Sequence, residues 1–179
     1  MHVIFPAGPD DAEALAQVHV ASWRETYRGL LPDSYLDRMS PPVHARRFTR
    51  SLVSPAEHEI TLAAADRSGI VGYAAGGPSR SRLVGEAEVT TLYVLRAHQG
   101  QDLGRRLLTA AARVFADQGA RSLMISVLRD NIPARGFYEH LGGEADAPRK
   151  EPGPGGLMYE VSYRWADIAA LTSGRGTPP

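Results

Sequence analysis

Residues 86–118 constrain the fold more than any other stretch of the chain. Residues 86–95 are rich in Val, Thr, Leu and Tyr and read as a long strand. A glycine-bearing loop follows, and apolar residues then recur at 103, 107, 108, 111, 114 and 115 until Gly119, which is helical spacing with a glycine stop. A strand that passes through a tight loop into an amphipathic helix needs a sheet to join and a sheet face for the helix to cover. All-helical and all-β folds are therefore excluded.

The flanking sequence supplies the remaining elements. Residues 2–6 read as a short strand. Pro9-Asp10-Asp11 starts a helix with acids in its first turn, and Ala14, Leu15, Val18, Ala21, Ser22 and Trp23 give it an apolar stripe that fades near Gly29. Pro32 opens a short helix to about Met39. Pro41-Pro42 opens another, with Ala45, Phe48, Leu52 and Val53 on one side. Residues 58–65 and 70–76 read as strands joined by the turn Asp66-Arg67-Ser68-Gly69. Residues 122–128 form an apolar run expected of a strand covered on both faces. A helix is expected over about 132–141, closed by Gly142-Gly143. Residues 148–156 hold three prolines and three glycines and read as a long loop before a last strand at 157–165. Helices and strands interleave, which makes a mixed α/β domain with one central sheet.

Composition narrows the functional classes. At 179 residues, with 43% hydrophobic and 22% charged side chains, the chain is long enough to hide roughly 70% of its surface in one core. It has no cysteine, so disulfides, thiolate metal sites and a cysteine nucleophile are excluded. Twenty basic residues balance 20 acidic ones, and no basic excess marks a nucleic-acid partner. No apolar run approaches the about 20 residues of a membrane span, and no secretory signal is visible, so the expected location is the cytoplasm. The histidines show no metal-ligand spacing. No metal is expected, and His19, His98 and His140 read as surface or capping residues. No Gly-x-Ser-x-Gly elbow is present.

The chemistry lies after the 86–95 strand. The first turn of a helix leaves N–H groups unpaired and carries partial positive charge, and glycines let a ligand approach the backbone. The loop matches neither the phosphate-binding loop of nucleotide hydrolases nor the dinucleotide fingerprint. On spacing alone, a phosphate ligand and an ordinary strand-to-helix turn both stay open.

Gln99-Gly100-Gln101-Asp102-Leu103-Gly104 resembles the acyl-CoA signature of the Gcn5-related N-acetyltransferase superfamily, which reads Gln/Arg-x-x-Gly-x-Gly/Ala after a strand. Asn131-Ile132-Pro133-Ala134-Arg135-Gly136-Phe137-Tyr138, before Leu141-Gly142-Gly143, is similar to a second segment of that superfamily. Ser22-Trp23-Arg24-Glu25-Thr26-Tyr27-Arg28-Gly29-Leu30-Leu31-Pro32 is similar to its first-helix region. The resemblance covers roughly residues 3–163. With it goes a single domain over 1–171, and the Ser/Gly/Thr/Pro-rich composition of 172–179 reads as a flexible tail. The sheet would be mixed, with about six to seven strands, splayed in the middle and flanked by helices.

The implied activity is transfer of acetyl from acetyl-CoA to a primary amine by direct attack. A non-catalytic acyl-CoA-binding module on the same fold is the competing reading. By resemblance, the amides of Gln99, Gly100, Gln101, Asp102, Leu103 and Gly104, with Arg105, cradle the pyrophosphate. The backbone of Leu92, Tyr93 and Val94 pairs with the pantetheine and offers the oxyanion a donor. Asn131 and Ala134 hold the pantetheine or its loop, although Asn131 also reads as a helix cap. Tyr138 protonates the departing thiolate, against a packed aromatic as the plain alternative. Glu88, placed by strand alternation on one face with Thr90 and Leu92, is the base, with Glu86 behind it. Trp23 and Tyr27 wall the acceptor side, with Tyr35 nearby. Asp102 departs from the family's usual glycine: facing the pyrophosphate it would repel it, whereas as a cap it would fold back on the helix. The partner is a small-molecule or peptide amine, with neither nucleic acid nor membrane. A homodimer fits family habit.

Overall fold

The computed structural model describes residues 1–81 and 83–173. One sheet organises them, in strand order β1-β2-β3-β4-β5-β8-β6, with β7 also paired to β8. The strands are Val3–Pro6 (β1), Ile60–Asp66 (β2), Gly69–Pro78 (β3), Glu86–Val94 (β4), Ser122–Leu128 (β5), Glu144–Ala145 (β6), Arg149–Gly153 (β7) and Gly156–Trp165 (β8). Only the β4–β5 pair is parallel; the other pairings are antiparallel. The helices are Ala12–Tyr27 (α1), Asp33–Arg38 (α2), Pro41–Val53 (α3), Leu103–Asp117 (α4), Ile132–His140 (α5) and Ala169–Thr172 (α6).

The sheet has eight strands, against the six to seven expected. The difference lies in two edge pieces, the two-residue β6 and β7. Residues 149–153 were expected to be loop. They form a strand because β7 lies on an edge, where Pro152 needs to give no N–H to a second neighbour. Gly155 and Gly156, with φ of 92° and 123°, turn the chain back into β8.

Two layers cover the sheet. On one face α4 buries Leu103, Leu107, Leu108, Ala111, Ala112 and Phe115, which meet Ala87, Val89, Leu123, Ile125 and Val127 in the largest core. On the other, α1 places Leu15 and Val18 against Ala63 and Tyr73, with Phe48 and Leu52 of α3 closing the edge. Val53, expected beside them, is exposed. Burying a Leu or Val side chain contributes about 1.5–3 kcal/mol, so the α4 face is the main source of cohesion. Ile168 and Leu171 fasten the last helix to this core. The tail expected over 172–179 begins with Thr172, the last residue of α6, and Ser173, whose hydroxyl donates to the Ala169 carbonyl at 2.6 Å; residues 174–179 lie outside the described residues.

A bulge sets the geometry of the middle of the sheet. Ala75 pairs with Thr91 while Gly76 pairs with Val89, so Thr90 is an extra residue in β4. One extra residue inverts alternation. Ala87 and Val89 face α4, and beyond the bulge Leu92 and Val94 take over that face. Glu88 therefore shares its face with Thr91 and Tyr93, not with Thr90 and Leu92 as uninterrupted alternation predicts. Gly76 accommodates the bulge: a Cβ there would lie 2.1 Å from the Glu88 carbonyl oxygen.

Candidate active site

β4 and β5 pair only from Glu86↔Ser122 to Val89↔Ile125. Beyond the bulge the strands part. Among the described residues, the stretch Thr90–Val94 has no ladder partner on its β5 side, while β5 continues against β8 as far as Leu128. The result is a notch in the sheet with a bare strand edge along one wall. Leu92, Tyr93 and Val94 form that edge.

β4 leads through a short turn into the loop before α4. Gly100 has φ of 70° and Asp102 has φ of 60°, so two left-handed residues bend the backbone tightly ahead of the helix. Asp tolerates this conformation better than most residues. The Asp102 carboxylate turns onto Arg105, with both nitrogen–oxygen distances 2.6 Å, and this pairing holds its pKa below the usual carboxylate range. The expected fold-back thus occurs, and it neutralises Arg105. A Cβ at Gly100 would meet nothing within 4 Å, so the loop is open to solvent there. The Gln99 side chain donates to the Val94 carbonyl at 2.9 Å, and that of Gln101 donates to the Ala97 carbonyl at 3.4 Å. These two side chains brace the loop. Gly104 faces inward: a Cβ there would sit 3.2 Å from the Phe137 ring, so its smallness serves the packing of α4 on α5.

α5 brings Tyr138 to the notch. The ring is buried against Phe137, Tyr163 and Trp165. Burial raises its pKa, with Tyr27 adding a smaller push, so the phenol stays protonated. Its hydroxyl has no side-chain hydrogen-bond partner among the described residues. Asn131 caps α5, its Oδ1 accepting from the Ala134 amide at 3.3 Å. The capping reading of Asn131 is thus seen directly, and Ala134 is its partner.

Tyr27 and Tyr93 meet above the other side of the notch, hydroxyl to hydroxyl at 3.0 Å, with Trp23 stacked edge-on to Tyr27 at 4.9 Å between centroids. Beside them lies a cavity of about 410 Å³ whose lining includes His19, Trp23, Tyr35, His44, Arg47, Phe48, Tyr73 and Thr91. His19 is a lining residue here, not a surface one. Its Nδ1 lies 2.6 Å from the Tyr73 hydroxyl and its ring stacks 4.6 Å from His44. Burial, aided by His44 and Arg47, lowers the His19 pKa to about 4. Burial pushes the Tyr73 pKa up, so the phenol keeps its proton and shares a hydrogen bond with His19.

Both candidate bases are engaged. Glu88 is 1% exposed and accepts from the Arg80 amide at 3.1 Å, from Nε at 3.0 Å and from Nη2 at 2.5 Å. The Arg80 side chain is 77% exposed, so a buried carboxylate lies under a solvent-facing guanidinium. Glu86 is tied to Arg164, Ser79 and Ser81 and belongs to the frame. Glu160 on β8 completes the group. It is half-buried, and burial, with Glu151 and Glu88 nearby, raises its pKa against the pull of Arg80.

Sequence reading missed Arg80, Glu160, His19 and Tyr73. Arg80 lies in a turn with no pattern. Glu160 reads as the solvent face of an alternating strand, and only the chain fold carries it to Glu88. His19 falls on the helical stripe with Leu15 and Ser22, a spacing that marks it as inward.

The model of the Acetyltransferase (GNAT) family matches residues 18–143. An uncharacterized N-acetyltransferase, YuaI, of Bacillus subtilis (strain 168) is 30% identical over 163 residues, covering 90% of this chain and 91% of that one. Among solved structures, the PaiA N-acetyltransferase of Thermoplasma acidophilum, in complex with coenzyme A, superposes with a TM-score of 0.71 at 19% identity, covering 92% of this chain and 99% of that one. The yncA protein of Salmonella typhimurium, solved with its cofactor acetyl-CoA, gives a TM-score of 0.70 at 18% identity, covering 93% and 94%. At these identities the two structures speak for the fold.

Proposed function

Because the chain belongs to the GNAT family of acetyltransferases, we propose that it transfers acetyl from acetyl-CoA to a primary amine by direct attack, with the notch beside β4 as the donor channel. The observation that carries this reading is the bare edge of Thr90–Val94, which stands between the open loop and the buried Tyr138. The residues present suit the donor. A thioester arm carrying amides finds unpaired strand groups at Leu92 and at the Val94 amide, since the Tyr93 backbone pairs with Tyr73 of β3 and the Val94 carbonyl accepts from Gln99. A diphosphate finds the amides that follow Gln99, whose own N–H donates to the Arg96 carbonyl, and Asp102 does not oppose it because its carboxylate is spent on Arg105.

Charge develops on the thioester oxygen during attack, and a backbone N–H of the bare edge is the donor that meets it. Tyr138 retains its proton and gives it to the leaving sulfur. Glu88 draws the proton from the incoming ammonium through water while the hydrogen bonds from Arg80 hold the carboxylate in place. A second reading assigns the base to Glu160, whose carboxyl is not in a salt bridge among the described residues and already leans toward proton uptake.

The acceptor enters beside Trp23 and Tyr27. The cavity there is lined by aromatic rings and neutral imidazole, with Arg47 as its cation and no carboxylate among the described residues. It suits an amine with an apolar or aromatic body and disfavours a polyamine. An acetyl-CoA consumption screen over a diverse amine library tests this. Turnover is expected with aryl- and alkyl-bodied primary amines, and failure of every amine, with acetyl-CoA still bound, would favour the non-catalytic module.

A further inference from the structure

We infer that His2, Asp66 and His98 form a binding site for one divalent transition-metal ion, zinc in the first place, at the outer end of the sheet and away from the reacting groups. The three residues come from separate places in the chain: the segment before β1, the end of β2, and the turn one residue ahead of Gln99. Their ligand atoms all lie within 4.8 Å of one another. Asp66 Oδ2 is 3.5 Å from His2 Nε2 and 3.4 Å from His98 Nδ1. Ligands bonded at about 2.0–2.2 Å in tetrahedral array stand roughly 3.3–3.5 Å apart, so both spacings already suit one ion between them.

Two further observations point to a ligand. Asp66 has its other oxygen fixed: Oδ1 accepts from the Ser68 amide at 2.8 Å and the Ser68 hydroxyl at 2.6 Å. That aims Oδ2 at the imidazoles, the orientation an outer-shell partner gives a metal-bound carboxylate. His2 Nε2 is buried and makes no hydrogen bond among the described residues, with the Asp66 carboxylate standing off at 3.5 Å. Its side chain is 11% exposed, and a buried imidazole nitrogen left unpaired is costly unless something occupies it. Two nitrogens and one carboxylate oxygen are borderline donors, which favour zinc or cobalt over calcium or magnesium. Three protein ligands leave a fourth position for water. The ion takes no part in acetyl transfer. It ties the start of β1 and the β2–β3 turn to the backbone that leads into the Gln99–Gly104 loop.

The test uses the full chain, freed of metal with a chelator and titrated with Zn²⁺ by calorimetry. One ion per chain is expected, with a rise in Tm on loading. His98→Asn and Asp66→Asn weaken binding by more than about tenfold, and Ser68→Ala by about tenfold, because it removes only an outer-shell bond. His140→Asn leaves binding unchanged. Co²⁺ in place of zinc gives visible absorption bands in the wild type that His98→Asn abolishes. Equal zinc affinity in wild type, His98→Asn and Ser68→Ala overturns the site, as does a wild-type Tm indifferent to zinc. The metal-free Tm of each variant reports folding, and Ser68→Ala, which changes no ligand, decides if a ligand variant fails to fold.

Discussion

Acid should unfold this protein partly through one imidazole. His19 has a pKa of about 4 in the fold against an ordinary 6.5. Its desolvated ring sits against Tyr73 and His44, and Arg47 adds its charge. The unfolded chain takes up a proton below pH 6.5, whereas the folded chain resists until about pH 4. Stability from this group is complete above 6.5 and drains as the pH falls toward 4. The separation of about 2.5 corresponds to a loss of about 3 kcal/mol between pH 7 and pH 4, of which about 2 kcal/mol is gone by pH 5. His19→Gln keeps a hydrogen-bonding group, donor or acceptor, for the Tyr73 hydroxyl and removes the titration. Urea unfolding of both proteins at pH 7 and pH 5 isolates the effect from every other titrating group. The gap in stability between the two pH values should be about 2 kcal/mol smaller in the variant, which for a chain of this size means about 4–8 °C in Tm. Equal pH sensitivity in the two proteins would refute the placement of a neutral, desolvated ring in this cavity.

The site supports further tests. Tyr138→Phe should lower kcat by about 10²–10⁴-fold while acetyl-CoA affinity and Tm hold, since its hydroxyl has no side-chain partner among the described residues to lose; a variant that melts several degrees lower would make the ring a packing residue instead. Glu88→Gln and Glu160→Gln separate the two base readings: the one that removes the acidic limb of the pH–rate profile identifies the base. Asp102→Asn keeps tolerance for positive φ, removes a charge and frees Arg105. At a separation of about 6 Å in water the charge amounts to about 0.7 kcal/mol, so acetyl-CoA should bind roughly threefold tighter and with steeper salt dependence. Isothermal titration at two salt concentrations reads both effects. Gly76→Ala forces a methyl against the Glu88 carbonyl and should cost about 1–3 kcal/mol or more, seen as a fall in Tm together with loss of turnover.

The fold was legible because its elements carry local signatures. The α4 stripe, the β5 apolar run and the Pro9 and Pro41 helix starts each lie within one window, and each forms as read. Residues 149–153 were misread because the composition of a loop and of an edge strand is the same when one side of the strand needs no donor. The turn that leads into α4 was legible through motif spacing: Gly100 and Asp102 take left-handed angles ahead of the helix, and Gly104 is its second residue. What was hidden is what depends on chain crossing. Arg80 reaches Glu88 across a turn that has no period. The three groups near His98 come from positions 2, 66 and 98. The parity change at Thr90 is invisible because an inserted residue leaves the strand just as rich in Val, Thr and Tyr. It surfaces only when register with β3 is counted.

That single uncompensated residue has a consequence for how the protein tolerates change. The paired half of β4 and its bare half obey opposite inside–outside codes. Substitutions along either half alter one wall at a time. Deleting Thr90 would restore a continuous two-residue rhythm, drive Tyr93 toward the leucines of α4 and turn Leu92 out among the aromatic rings. The strand would close on its neighbour, and the channel would cease to exist without any catalytic side chain having been touched. A library of single-residue deletions across 86–94 should therefore show a step in activity at the bulge that no scan of point substitutions reveals.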